Sequence, residues 1–339
     1  MTPSVSAVIV THRSAAEAAD CVASLRADFE KTGLAGEVVL VDCGSGEEEA
    51  QRLRRIPADA LVLLPDNRGY SGGVNAGLER ARGATLLVCN ADVAFQPGAV
   101  RELAGAAAQR RVGAAAPLCL WDAAGRLRLP ADPPSGLAAE LGLTRFAPFA
   151  RRALELWERG GEARRLVGAV LAVRREVFDR VGGFDERYPF EYEETDWEIR
   201  VRRAGLSLRF HPAARVRHLY ARSAARNPET EARRSASRRV FRARHYGVIG
   251  RALIEAAERR PPRVPDARRI SEPVVESRPG AWVAVSTNPT LVPFAGAPLD
   301  AHFRLPDDVL ASLRPGPVWL RPFRASDGAP LETLVWERA

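Results

Sequence analysis

The sequence predicts an α/β protein: a mainly parallel sheet with flanking helices, followed by a small β-rich unit. Three observations carry this. Short apolar runs rich in β-branched residues, VSAVIV at 5–10, EVVLV at 37–41, ALVLL at 60–64 and ATLLVC at 84–89, have the length of buried strands. Stretches of helical character separate them, and strand alternating with helix is the signature of a parallel sheet covered on its faces. Polar residues punctuate the run ends, at Thr11, Asp42, Asn90 and Asp92. Ligands of such sheets bind at the carboxyl ends of the strands. Each of these residues taken singly also reads as an ordinary turn or cap.

The elements follow in order. After strand 5–10, Ser14 is the candidate N-cap of a helix over 15–31, with Ala18, Cys21, Val22 and Leu25 on one face. Residues 47–55 read as helix, 71–82 as a helix entered through Gly-rich chain, and Pro97 opens a helix to Arg110. Residues 113–150, broken by Gly and Pro, read as strand, loop and flap. Strand 166–173 and a helix over 174–182 precede a further helix from Asp196 to Ala204, closed by Gly205. Short strands at 206–210 and 214–219 lead to a long basic helix over 230–259. The runs WVAVS, TLVPF, PVWLRPF and ETLVWE beyond residue 281 read as strands between turns. The expected division is a catalytic domain over 1–260, a Pro/Arg-rich linker over 261–280 and an accessory unit over 281–339.

Composition limits the function. Apolar residues make up 46% and charged residues 27%, the balance of a globular protein rather than a disordered one. The start, MTPSVSAVIVTHRS, lacks the basic and apolar regions of a secretory signal, and no apolar run approaches the ~20 residues of a membrane span. A cytoplasmic protein, including one at the inner face of a membrane, is expected. The four cysteines form no CxxC pair, which argues against a zinc site. A net charge of +8 points to an anionic partner: nucleotide phosphates, a lipid diphosphate or an acidic bilayer. No nucleic-acid partner is expected, because the basic stretches lack interleaved aromatic platforms.

Three segments carry chemistry. DNRGYSGGVNAG at 66–77 is Gly-rich, and glycine lets backbone N–H groups approach phosphate or sugar. It is neither GxGxxG after the first strand nor a Walker loop. Asn90 and Asp92, at i and i+2, point the same way in extended chain and suit a divalent cation shared with a diphosphate. The same pattern serves as an N-cap or Asx turn. EYEETDWEIRVRR at 191–203 crowds Glu193, Glu194 and Asp196 beside Trp197. Such a cluster is either an acidic helix start favoured by the helix dipole or a site that takes a proton from a nucleophile.

Taken together, VSAVIVTHRS, VVLVDCGS at 38–45, DNRGYSGGVNAGLERARG at 66–83, LLVCNADV at 86–93, LVGAVLAVRREVFDRVGGFDERY at 166–188 and EYEETDWEIRVRRAG at 191–205 resemble glycosyltransferase family 2 enzymes of GT-A fold, in order and spacing. The resemblance covers about residues 5–250 and is nearest the rhamnosyltransferase-like branch. It implies an inverting transfer from a nucleotide-sugar donor to a hydroxyl of a glycan or lipid-linked acceptor, in bacterial cell-surface polysaccharide synthesis. Glu194 aligns with the catalytic base, an Asp in many members. Glu193, Asp196 and Trp197 would contact the acceptor or support the site. Thr11, Asp42, Asn67, Gly73, Asn75, Asn90 and Asp92 would hold the donor. Asp92 and His218 would ligate a divalent cation, Mg²⁺ or Mn²⁺; a lone His is also commonly structural.

Two readings remain for the basic helix over 230–259: contact with an anionic membrane, or packing on the sheet with solvated arginines. The unit over 281–339 could hold the acceptor, mediate dimerisation or cap the fold. The rivals to transfer are a sugar-phosphate nucleotidyltransferase, whose glycine-rich N-terminal loop is absent from VSAVIVTHRS, and a non-catalytic binding module.

Overall fold

The computed structural model describes residues 3–218, 230–259 and 264–338. Residue 219 of the expected second short strand and residues 261–263 of the expected linker lie outside the described residues. In chain order up to residue 218 the elements are β1 (Val5–Thr11), α1 (Ala15–Thr32), β2 (Gly36–Cys43), α2 (Glu47–Leu53), β3 (Ala60–Leu64), α3 (Gly69–Arg80), β4 (Thr85–Asn90), β5 (Val93–Phe95), α4 (Ala99–Ala107), β6 (Val112–Leu120), α5 (Leu137–Glu140), α6 (Phe146–Arg159), β7 (Gly161–Ala163), β8 (Val170–Arg174), α7 (Arg175–Val181), α8 (Glu193–Arg203) and β9 (Ser207–His218).

The chain forms two compact units, one from residues up to 118 and 161–245, the other from 119–160 and 246 onward. The first unit holds a nine-stranded sheet in the order β3-β2-β1-β4-β8-β6-β9-β5, with β7 on β9. β3, β2, β1 and β4 are parallel, and β8 joins antiparallel to β4. Every residue of β1 is buried, as a continuous β-branched run on a two-sided parallel sheet requires. α1 buries Ala18, Cys21, Val22 and Leu25, and ends at Gly33, whose left-handed φ of 64° turns its N–H onto the Phe29 and Glu30 carbonyls.

Several local expectations are corrected. Ser14 does not cap α1; its hydroxyl donates to the His12 carbonyl, and Glu49 accepts the Ala15 N–H at 2.7 Å instead. β8 begins at Val170, not 166. The two short strands expected after residue 206 are one strand, β9. Pro212 lies between the stretch Leu208–Phe210, which pairs with β7, and Val216–His218, which pairs with β5. The basic helix breaks at Tyr246 into Thr230–His245 and Gly247–Glu258.

The second unit takes in residues 119–160 and 246–259, which the sequence reading assigns to the first domain. Its sheet runs Arg268–Arg269, Leu334–Arg338, Gly316–Arg324, Ala281–Ser286 and Ala295–Pro298. α6, expected as loop, is the reason 119–160 belongs here. Pro148 falls in its first turn, where a missing N–H costs nothing. Its apolar face buries Phe149, Leu156 and Trp157, with Trp157 stacked on Trp282 at 5.4 Å and Phe149 edge-on to Phe294 at 5.3 Å. TLVPF is not a strand, since Pro293 has no N–H for a ladder; the strand starts at Ala295.

Candidate active site

The parallel strands end together. Register pairs Thr11 with Asp42 and Val10 with Asn90, so three of the residues singled out at strand ends lie side by side. The strand order turns back at β1, between β2 and β4, which is where an open α/β sheet leaves a crevice beyond its carboxyl ends. Thr11 is buried and its hydroxyl has no partner among the described residues. Asp42 is buried too; its carboxylate accepts the Ser45 N–H at 3.0 Å and the Ser45 hydroxyl. His12 Nδ1 lies 2.8 Å from the Cys43 carbonyl, which folds this turn over the strand ends.

The helix expected over 71–82 is α3, and the Gly-rich segment opens it. Gly72 and Gly73 lie within α3, not in an open loop. A Cβ on Gly73 would stand 2.5 Å from Val10 Cγ1 and 2.7 Å from Cys43 Sγ, so this glycine brings α3 against β1 and β2. Asn67 accepts the Gly69 N–H at 3.0 Å, an Asx turn that starts the helix. Asn75 spends its amide on Phe184, donating to the carbonyl at 2.9 Å and accepting the N–H at 2.9 Å, and also donates to Glu186 at 3.1 Å. It ties α3 to the approach of α8.

Asn90 and Asp92 are not on one extended strand. β4 ends at Asn90, a turn follows, and β5 starts at Val93. Pairing of Val93 with His218 brings Asp92 to the end of β9, and His218 Nε2 stands 3.2 Å from Asp92 Oδ1. Both side chains are buried. Among the described residues no group of three or more His, Cys, Asp or Glu could hold a metal. One carboxylate and one imidazole nonetheless fit a cation whose other ligands are phosphate oxygens and water, since Mg²⁺ usually takes only one or two protein carboxylates.

α8 starts at Glu193 rather than Asp196, so all three carboxylates fall in its first turn. Glu191 and Tyr192 enter it with φ of 63° and 71°, a left-handed conformation costly for side-chain-bearing residues and frequent at functional sites. Arg234 grips Glu191 with two hydrogen bonds of 2.9 Å and holds this entry. The three acids have different surroundings. Asp196 is fully buried among Arg200 at 3.0 Å, His245 at 2.9 Å, Arg244 at 3.2 Å and the Tyr188 hydroxyl at 3.3 Å. It is a structural hub. Trp197, equally buried, packs on Phe178 at 4.8 Å and donates to the Gly182 carbonyl at 2.9 Å. Glu193 is buried, and its Oε2 has no partner among the described residues; burial, with the neighbouring Glu194 charge, pushes its pKa well above the ordinary carboxylate value and favours the protonated form. Glu194 keeps 14% of its side chain exposed and lies 3.0 Å from Arg165 Nη2.

One residue joins these parts. The Tyr70 hydroxyl has no partner among the described residues, and its pKa is pushed up by burial and by Cys89, Glu193, Glu194 and Asp92. Tyr70, Arg165 and His245 carry no motif signal of their own; only Tyr70, inside the Gly-rich segment, was close to one.

The sequence profile of glycosyl transferase family 2 matches residues 6–182, just over half the chain. The chain belongs to glycosyl transferase family 2. This glycosyltransferase is 33% identical over 216 residues to the N-acetylglucosaminyl-diphospho-decaprenol L-rhamnosyltransferase of Mycobacterium tuberculosis, in strains CDC 1551 / Oshkosh and H37Rv, covering 56% of this chain and 69% of the relative. Its fold is also similar to solved structures at low identity. GalNAc-T7 with UDP, GalNAc and Mn²⁺ aligns at 20% identity and TM-score 0.48, over 65% of this chain and only 43% of that one. The mannosyltransferase PcManGT from Pyrobaculum calidifontis with GDP-Man and Mn²⁺ aligns at 15% identity and TM-score 0.46, over 76% of this chain and 80% of that one.

Proposed function

We propose that this enzyme transfers a sugar, with inversion, from a nucleotide-diphosphate sugar to a hydroxyl of a lipid-linked glycan acceptor in cell-surface polysaccharide synthesis. One observation carries the reading: of the acids opening α8, Glu194 alone keeps part of its side chain exposed, while Glu193 and Asp196 are buried. Glu194 takes the acceptor proton. The freed oxygen attacks the anomeric carbon as the bond to the diphosphate breaks on the opposite face, and the nucleoside diphosphate leaves with the electron pair. Thr11, Asp42 and Asn90 line the donor end, and neutral Glu193 adds no second charge beside the base. Asp92 and His218 would hold a divalent cation, which supplies charge neutralisation at the leaving diphosphate. In-line positioning contributes alongside the base.

The relative's acceptor, a diphospho-decaprenol, supports a lipid-linked acceptor for this chain. Among the described residues no helix is long and apolar enough to cross a membrane. For membrane contact, the exposed Val248, Ile249 and Leu253 on Gly247–Glu258 are the better candidates, because Arg234 and Arg244 of the preceding helix are engaged by Glu191, Asp185 and Asp196. A cytoplasmic enzyme working at the inner membrane face accords with these features. The test is Glu194→Gln, assayed for nucleoside diphosphate release across a UDP-, GDP- and dTDP-sugar panel with donor affinity measured by titration. Transfer should be abolished and donor binding kept; full activity in the variant refutes the base assignment.

A further inference from the structure

The segment entering β8 is fastened to α8 at successive residues. Arg202 Nη1 donates to the Arg164 carbonyl at 3.2 Å. Leu166 N–H donates to Glu198 Oε1 at 3.1 Å. Between these two ties, Arg165 Nη2 donates to Glu194 Oε1 at 3.0 Å. Two residues on, Gly168 lies against the same side chain: a Cβ there would stand 2.8 Å from Glu194 Cγ and 3.2 Å from its Cβ. Glu194 is therefore bounded by a backbone wall along its stem and a cation at one oxygen.

We propose that Arg165 is a positioning residue that fixes the Glu194 carboxylate by gripping Oε1 and presenting Oε2 to the acceptor hydroxyl. This rests on Glu194 being the base. An aspartate is shorter by one C–C bond, ~1.5 Å, and from the same backbone would fall out of hydrogen-bond reach of Arg165. A cation suits the task because it holds the carboxylate oxygen by a charge-assisted hydrogen bond. Glu194 and Glu198 both favour that charge against the cost of burial. The other groups acting here are Glu193 and Tyr192 at the start of α8 and Tyr70 from α3.

The test compares Arg165→Gln, Arg165→Lys, Glu194→Gln and the double variant Arg165→Gln/Glu194→Gln, using nucleoside diphosphate release from the best donor of the same panel, with melting temperature as a folding control. Arg165→Gln should lower kcat by about 10- to 100-fold, the scale of a misplacement near 1 Å, with donor KM unchanged. Arg165→Lys should recover a large part of that loss. The double variant should be no slower than Glu194→Gln alone, because Arg165 acts only through Glu194. Wild-type kcat in Arg165→Gln, or a loss as large in the Glu194→Gln background, overturns the proposal while leaving Glu194 as base. Full activity in Glu194→Gln overturns both. If Arg165→Gln fails to fold, Arg165→Lys alone decides: a kcat drop of 100-fold or more at an unchanged melting temperature refutes a role that any nearby cation could partly fill.

Discussion

Replacing Gly168 by alanine sets a methyl carbon 2.8 Å from Glu194 Cγ, where real contacts of this kind begin near 3.4 Å. The side chain must retreat by the difference, roughly 0.6 Å, or turn off its rotamer. Gly168 is not among the glycines with positive φ, so its backbone accepts alanine, and the nearest atoms the methyl meets are Cγ, Cβ and Cδ of Glu194. A flexible side chain can absorb it at a folding cost of about 0.5–1.5 kcal/mol. The catalytic cost is larger, because a misplacement near 1 Å costs about 100-fold. A fall in kcat of about 10- to 100-fold, ~1.4–2.7 kcal/mol in the barrier, is expected, with donor affinity and melting temperature close to wild type. Steady-state kinetics, titration of the nucleoside diphosphate and a thermal melt read all three. An unchanged kcat would refute the idea that the Gly168 wall sets the reach of Glu194. A collapsed melt would show instead that this glycine serves packing.

Three further outcomes are expected. Asp92→Ala should weaken nucleoside diphosphate binding by at least ~10-fold, the order of a lost charge-assisted contact of ~1.5–3 kcal/mol, and remove its dependence on added Mg²⁺ or Mn²⁺; titration showing unaffected binding would remove Asp92 from the donor site. Glu193 binds its proton more tightly folded than unfolded, so its contribution to stability is complete below the ordinary carboxylate range and is lost as pH rises towards the raised folded value. Glu193→Gln should therefore melt higher than wild type at pH 8 and lose that advantage near pH 4; equal melting curves across this range would contradict a protonated Glu193. Asn75→Ala strands the Phe184 N–H and carbonyl and should cost about 1–3 kcal/mol of stability, read by denaturant unfolding, with donor affinity little changed below the transition. A lost affinity in a stable Asn75→Ala would return this residue to the donor contacts.

The sheet was legible because its signal is local. Four apolar runs of strand length, three of them ending in a polar residue, specify parallel strands whose ends align, and the register of Thr11 with Asp42 and Val10 with Asn90 accords with that. α6 was hidden by Pro148, a residue that breaks a helix interior but is harmless in a first turn. The Gly-rich segment is ambiguous in another way. Glycine serves phosphate approach and tight helix–sheet packing equally, and only the closeness of Val10 and Cys43 to Gly73 distinguishes them. Asn75 likewise looked like a donor contact until its partners on Phe184 were visible.

By itself the sequence determined the family, the α/β sheet, the strand-end residues and the acidic turn over 193–196, since each is written in residues close along the chain or in motifs of fixed order. The tertiary structure alone decided how those acids divide the work. Burial and partners, not spacing, make Asp196 a hub held by Arg200, Arg244 and His245, keep Glu193 protonated, and leave Glu194 half-open beside Arg165. The protonation and reach of a carboxylate depend on the charges and walls around it, and here those arrive from residues 165, 168, 244 and 245, far along the chain and adjacent only when folded.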